Sequence, residues 1–108
     1  MAIVDPETTY SLPADLTAAT GTDALVHAIE AYTCRLANPM SDGLAMAAMK
    51  KIVPSLERKV LNGDTEARHD MMLGSLLSGL AFFADVAAVH CLAEAQGGKY
   101  DTGSMQKL

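Results

Sequence analysis

Asp23 and His27 stand four positions apart, and so do His90 and Glu94. On a helix that spacing puts two side chains on one face, one turn apart. Both pairs sit among apolar residues: Ala24, Leu25, Val26, Ala28 and Ile29 around the first, Val86, Val89, Leu92 and Ala93 around the second. An acid and an imidazole on an apolar face need a partner or water, because burying an isolated polar group is costly. Helical bundles build interior metal sites from carboxylates and histidines on facing helices. Asp23, His27, His90 and Glu94 would supply two imidazoles and two carboxylates, which suit a borderline divalent ion such as Fe2+ or Zn2+. The same spacing also serves a local hydrogen bond or ion pair, and the pattern leaves both readings open. The third histidine, His69, lies in the charged run from Glu66 to Asp70 and reads as solvated surface.

Other routes to catalysis find little support. Neither a Gly-x-Gly-x-x-Gly nor a Gly-x-x-x-x-Gly-Lys-Ser/Thr run is present to cradle a phosphate. Ser75 and Ser78 fall in an apolar helical pattern rather than on a strand-to-helix elbow. Cys91 adjoins His90, but neighbours on a helix point about 100° apart and do not form a thiolate pair. The 7 methionines read as core filler.

The elements that must position these side chains are helices. The 108 residues are half apolar, with 18 alanines, 7 methionines, no tryptophan and only 3 tyrosines and 2 phenylalanines. Helix formers dominate and strand formers are scarce, so the chain reads as all-α. Its length suits one domain. Residues 1–11 form an extended lead-in, because Pro6 and the β-branched Ile3, Val4, Thr8 and Thr9 disfavour a helix. A short helix follows Ser11-Leu12-Pro13 and stops at Thr20-Gly21, and a second starts at Thr22-Asp23 and runs to about Arg35. Ser41-Asp42 caps the next, which kinks or breaks near Val53 ahead of Pro54 and ends at Asn62-Gly63. Asp64 or Thr65 opens a strongly apolar fourth helix, buried on most sides, in which Gly74, Ser75, Ser78 and Gly79 allow close helix contact. A fifth covers Val86 to Ala95, and residues 99–108 are a frayed, disordered tail. The expected architecture is a bundle of about five helices in a single domain over residues 1–108.

Charge narrows the partners. With 8 Lys and Arg against 13 Asp and Glu the net charge is −5, which argues against nucleic acid or an anionic membrane surface. No apolar run approaches the ~20 residues that cross a bilayer. The N-terminus carries an acid where a signal peptide is basic, and Cys34 and Cys91 form no paired motif. The expected location is the cytoplasm.

Taken together these segments resemble a known family. Asp5-Pro-Glu-Thr8, Leu12-Pro-x-x-Leu-Thr-Ala-Ala-Thr-Gly21, Asp23-Ala-Leu-Val-His27-Ala-Ile-Glu-Ala-Tyr32 and Ala37-Asn-Pro-Met-Ser-Asp42 are similar to the iron-containing (group III) alcohol dehydrogenases. Asn62-Gly-Asp64, Glu66-Ala-Arg68 and the His90 segment continue the match in register, over residues 2 to 103. The resemblance implies a dehydroquinate synthase-like fold whose all-helical C-terminal half holds the metal, while an α/β half binds the nicotinamide. It places this chain at the start of the helical half, as a truncated metal-binding domain. It also implies that Asp23, His27 and His90 are three of the family's four metal ligands. Two positions depart from the pattern: Glu94 stands where a second histidine is usual, and Ser104 where the fourth ligand histidine falls.

The resemblance therefore implies a fragment or remnant of an alcohol dehydrogenase-like oxidoreductase that keeps a partial Fe2+ or Zn2+ site and lacks the NAD(P)-binding half. No catalytic or nucleotide-binding residue is expected within it. NAD(P) is not expected to bind this chain alone, and autonomous dehydrogenase activity is expected to be absent. Apolar surface left uncovered points to a homo-oligomer, a dimer or swapped dimer, or to a complementary cofactor-binding chain. The competing expectation is a non-enzymatic, self-associating helical module whose site residues are relics.

Overall fold

The computed structural model describes residues 3–62, 64–82, 89–93 and 95, with the backbone alone at 57–62. Among them there is no strand. Three helices carry the fold: α1 (Ala14–Thr33), α2 (Pro39–Asn62) and α3 (Thr65–Ala81). Residues 89–93 are helical as well. Each of α1, α2 and α3 packs on the other two, and the α2–α3 pair is the most extensive.

The lead-in is less extended than its β-branched content suggests. Pro6–Thr9 form a 3-10 turn capped by Asp5, whose side chain accepts the Glu7 N–H at 3.0 Å. The Thr8 and Thr9 hydroxyls each donate at 2.7 Å to the carbonyl three residues back, so hydroxyl bonding offsets their preference for extended backbone.

The two helices expected on either side of Gly21 are one. α1 runs unbroken for 20 residues. Gly21 is a close-packing point: a Cβ there would lie 2.7 Å from Leu56 Cδ2 and 3.0 Å from Met71 Cε. The contact with α2 and α3 offsets the roughly 1 kcal/mol that glycine costs inside a helix. Thr17, Thr20 and Thr22 remain helical by donating to carbonyls four residues back at 2.8–2.9 Å.

α2 begins earlier than the expected Ser41-Asp42 cap. Asn38 Oδ1 accepts from the Met40 and Ser41 N–H groups at 3.0 and 3.1 Å, and Ser41 Oγ accepts from the Asn38 N–H at 2.9 Å. This reciprocal arrangement leaves Pro39 at the first helical position, where its missing N–H has no consequence. Pro54 does not break α2, which continues to Asn62. Buried Ile52 and Ser55 flank the proline, so packing holds the helix through the lost hydrogen bond. α3 opens as expected at Asp64, whose side chain accepts from the Glu66 and Ala67 N–H groups.

The core is built largely of alanine. Ala24, Ala28, Ala48, Ile52 and Met71 form one cluster, and Ala31, Ala45 and Ala81 a second with Leu44 and Phe82 against it. Small side chains bring the helix backbones close, and Gly74 closer still: a Cβ there would lie 2.6 Å from Ile52 Cγ1. Gly74 and Ser78 face this contact, while Ser75 and Gly79 are exposed. α3 is thus buried on one face rather than on most sides, and Leu76 and Leu80 are exposed at 41% and 54%. Arg68 is buried and donates to the Thr9 and Leu12 carbonyls, tying α3 to the segment that leads into α1. Lys51 Nζ donates to Asp70 Oδ1 at 2.7 Å, a half-exposed link between α2 and α3. No helix among the described residues is long and apolar enough to cross a membrane.

The two α3 glycines make opposite predictions. Gly74→Ala forces a methyl into Ile52 and lowers stability by about 1–3 kcal/mol. A Cβ at Gly79 would meet nothing within 4 Å, so Gly79→Ala raises stability by about 0.5–1 kcal/mol through helix propensity. Thermal melts followed by circular dichroism check both, and equal shifts would contradict the packing described.

Candidate metal centre

α1 positions Asp23 and His27 one turn apart, and Glu30 follows three residues later on the same face. The helical segment at residues 89–93 brings His90 to meet them. His90 Nε2 lies 3.5 Å from Asp23 Oδ1 and 3.2 Å from His27 Nδ1. His27 Nδ1 in turn lies 3.6 Å from Asp23 Oδ1 and 2.9 Å from the Asp23 carbonyl. One ligating atom from each of Asp23, His27 and His90 falls within 4.8 Å of the other two.

An aromatic wall completes this corner. The His27 and His90 rings stand 3.9 Å apart between centroids, and Phe82, just past α3, packs 4.7 Å from His27 and 4.9 Å from His90. His90 is 3% exposed, whereas Asp23 and His27 are partly open. One carboxylate oxygen and two ring nitrogens therefore converge at the edge of the core, with no lysine or arginine of the described residues paired to them. A divalent cation suits this donor set, since oxygen and imidazole ligands match Zn2+ and Fe2+.

The structure brings three of the four sequence-derived candidates together. Glu94, the fourth, lies outside the described residues, as does Ser104. His69 is exposed on α3, in keeping with a surface role.

Two contributors escaped the sequence pattern. Glu30 is buried; one carboxylate oxygen meets His90 Nδ1 and the other accepts the Val89 N–H at 2.8 Å. Its position three residues after His27, which puts a second acid on the face that carries Asp23 and His27, was the available signal. Phe82 carried none beyond its hydrophobicity. Burial opposes the ionisation of Glu30, but the hydrogen bonds from His90 and the Val89 N–H, with the imidazole's charge, outweigh it and hold the pKa below the ordinary glutamate value.

Comparison with known proteins places these residues in context. Residues 17–104 match the model of the Fe-containing alcohol dehydrogenase family, C-terminal. The chain belongs to the iron-containing alcohol dehydrogenase family. It is 57% identical over 102 residues to long-chain-alcohol dehydrogenase 1 of Geobacillus thermodenitrificans (strain NG80-2), covering 93% of this chain and 26% of that protein. It is 46% identical over 103 residues to the 1,3-propanediol dehydrogenase of Klebsiella pneumoniae, covering 94% of this chain and 27% of that one. Among solved structures, maleylacetate reductase from Rhizobium sp. strain MTP-10005 matches with a TM-score of 0.82 and 28% identity, over 94% of this chain and 29% of the reductase. The chain spans about a quarter of the length of the curated relatives it matches. Within the family, then, it corresponds to part of the C-terminal region.

The depressed pKa of Glu30 has a consequence for stability. Its contribution is fully present above the unfolded value of about 4.3 and is lost as pH falls through the lower folded value. Urea unfolding of the metal-free chain at pH 7 down to 3 should show wild type losing stability more steeply below pH ~4.3 than Glu30→Gln. Parallel curves would show that the Glu30 contacts do not persist in solution.

Proposed function

We propose that this chain is the metal-holding part of an alcohol dehydrogenase-type oxidoreductase, binding Fe2+ or Zn2+ through Asp23, His27 and His90, with Glu94 as a fourth ligand. The convergence of the three described donors carries this reading. A bound divalent ion would supply Lewis-acid polarisation of an alcohol or carbonyl oxygen.

The chain's own residues do the positioning. Asp23 contributes the negative charge that two neutral imidazoles lack, and its place one turn before His27 on α1 fixes both relative to one helix axis. Phe82 lies against both rings, keeping water from that side and limiting their rotation. The partial exposure of Asp23 and His27 leaves a side from which a small hydroxyl compound could approach.

Hydride transfer also needs a nicotinamide held in contact with the polarised carbon. These 108 residues hold no glycine-rich nucleotide loop, so NAD(P) binding is assigned to residues outside them, on a complementary chain or elsewhere in a longer polypeptide. On their own the 108 residues are proposed to bind metal without catalysing dehydrogenation.

Calorimetric titration with Zn2+, or anaerobically with Fe2+, tests this. Wild type binds well below millimolar. Asp23→Ala weakens binding by more than about 100-fold, beyond what loss of an outer-shell partner costs. Glu94→Gln weakens it comparably. No binding tighter than millimolar, or binding indifferent to Asp23→Ala, favours the relic module instead, whose melting temperature would ignore both metal and chelator.

A further inference from the structure

Glu30 is a buried acid that supplies no atom to the three-donor cluster, yet it makes two bonds to the segment that carries His90. We propose that Glu30 is a positioning residue that holds His90 as its Nδ1–H tautomer, turning the Nε2 lone pair toward Asp23 and His27. The purpose of this arrangement rests on the metal reading above, but its existence does not.

Proton counting fixes the tautomer. A carboxylate offers only lone pairs, so the ring nitrogen that bonds it carries the hydrogen. Glu30 meets Nδ1 of His90. A neutral imidazole has one N–H, and with that hydrogen on Nδ1 the other nitrogen is an acceptor. That nitrogen, Nε2, is the one 3.5 Å from Asp23 Oδ1 and 3.2 Å from His27 Nδ1. The second bond, from the Val89 N–H to the other Glu30 oxygen at 2.8 Å, fixes the backbone one residue before His90. Two bonds to adjacent residues from one carboxylate set both the place and the rotation of the ring. Glu30 is 7% and His90 3% exposed, so water does not readily replace either partner. A carboxylate–histidine pair of this form also raises the basicity of the free nitrogen toward a cation.

The test reads the tautomer first and metal second. Long-range 1H–15N spectra of the metal-free chain are recorded at about pH 8, above the ordinary imidazole value of about 6.5. Wild-type His90 is expected in the Nδ1–H form. Glu30→Gln offers a single acceptor oxygen to two donors, the Val89 N–H and the His90 Nδ1–H, and so retains that form only in part. Glu30→Met, of similar length but without an acceptor, shifts His90 toward the Nε2–H form. In zinc titrations Glu30→Met loses about 10–100-fold in affinity, and Glu30→Gln loses less. A residue that merely fills space would leave Met equal to wild type in both readouts. Wild-type His90 protonated at Nε2, or a Met variant with unchanged tautomer and affinity, overturns the proposal. Should Glu30→Met fail to fold by circular dichroism, the wild-type tautomer and the Gln variant still decide it. Absence of zinc binding in wild type would overturn the metal reading alone, since the tautomer is read without metal.

Discussion

The carboxylate of Glu30 joins the segment around residue 90 to the three-helix body. It sits on α1, at the edge of the alanine-rich core, and accepts the Val89 N–H while meeting the His90 ring. Without Glu30, the burial of His90 at that spot would place a polar ring against Phe82 with no other described residue bonded to Nδ1. An unpaired buried polar group costs about 1–3 kcal/mol. The geometry of the three-donor cluster therefore follows from a residue outside it, and that cluster exists as a consequence of how two distant stretches of chain are fastened together.

The helices that support this junction depend on small side chains. Gly21 on α1 faces α2 and α3, Gly74 on α3 faces α2, and each would collide with a neighbouring side chain if it carried a Cβ. Alanines at 24, 28 and 31 let the same face of α1 that carries Asp23, His27 and Glu30 continue directly into the core. Polar chemistry and close packing thus share one helix. Arg68 holds the other end, pinning the turn before α1 through backbone carbonyls.

Much of this was legible in the residues themselves. Four-residue spacing located Asp23 and His27, and the alanine and methionine content indicated helices without strands. The cap at Asp64 and the end of α2 at Asn62 followed from local side-chain chemistry. Gly21 misled because a glycine reads locally as a stop, whereas here its value lies in contacts with Leu56 and Met71, remote in sequence. At Pro54 the helix continues rather than breaks, since packing of Ile52 and Ser55 outweighs the missing hydrogen bond. The Ser41-Asp42 cap missed the reciprocal bonds that Asn38 makes. Glu30 went unseen because its partners, Val89 and His90, lie some sixty residues away, and no periodicity reports a contact at that range.

The proposed metal centre requires Asp23, His27 and His90 to share one cation. Crystals of the chain grown with Zn2+ and measured on both sides of the zinc absorption edge test it most directly. One anomalous peak is expected about 2.0–2.2 Å from an Asp23 oxygen and from a ring nitrogen of each histidine. A zinc peak elsewhere on the molecule, with His90 still bonded to Glu30 and no density between the three donors, would contradict it.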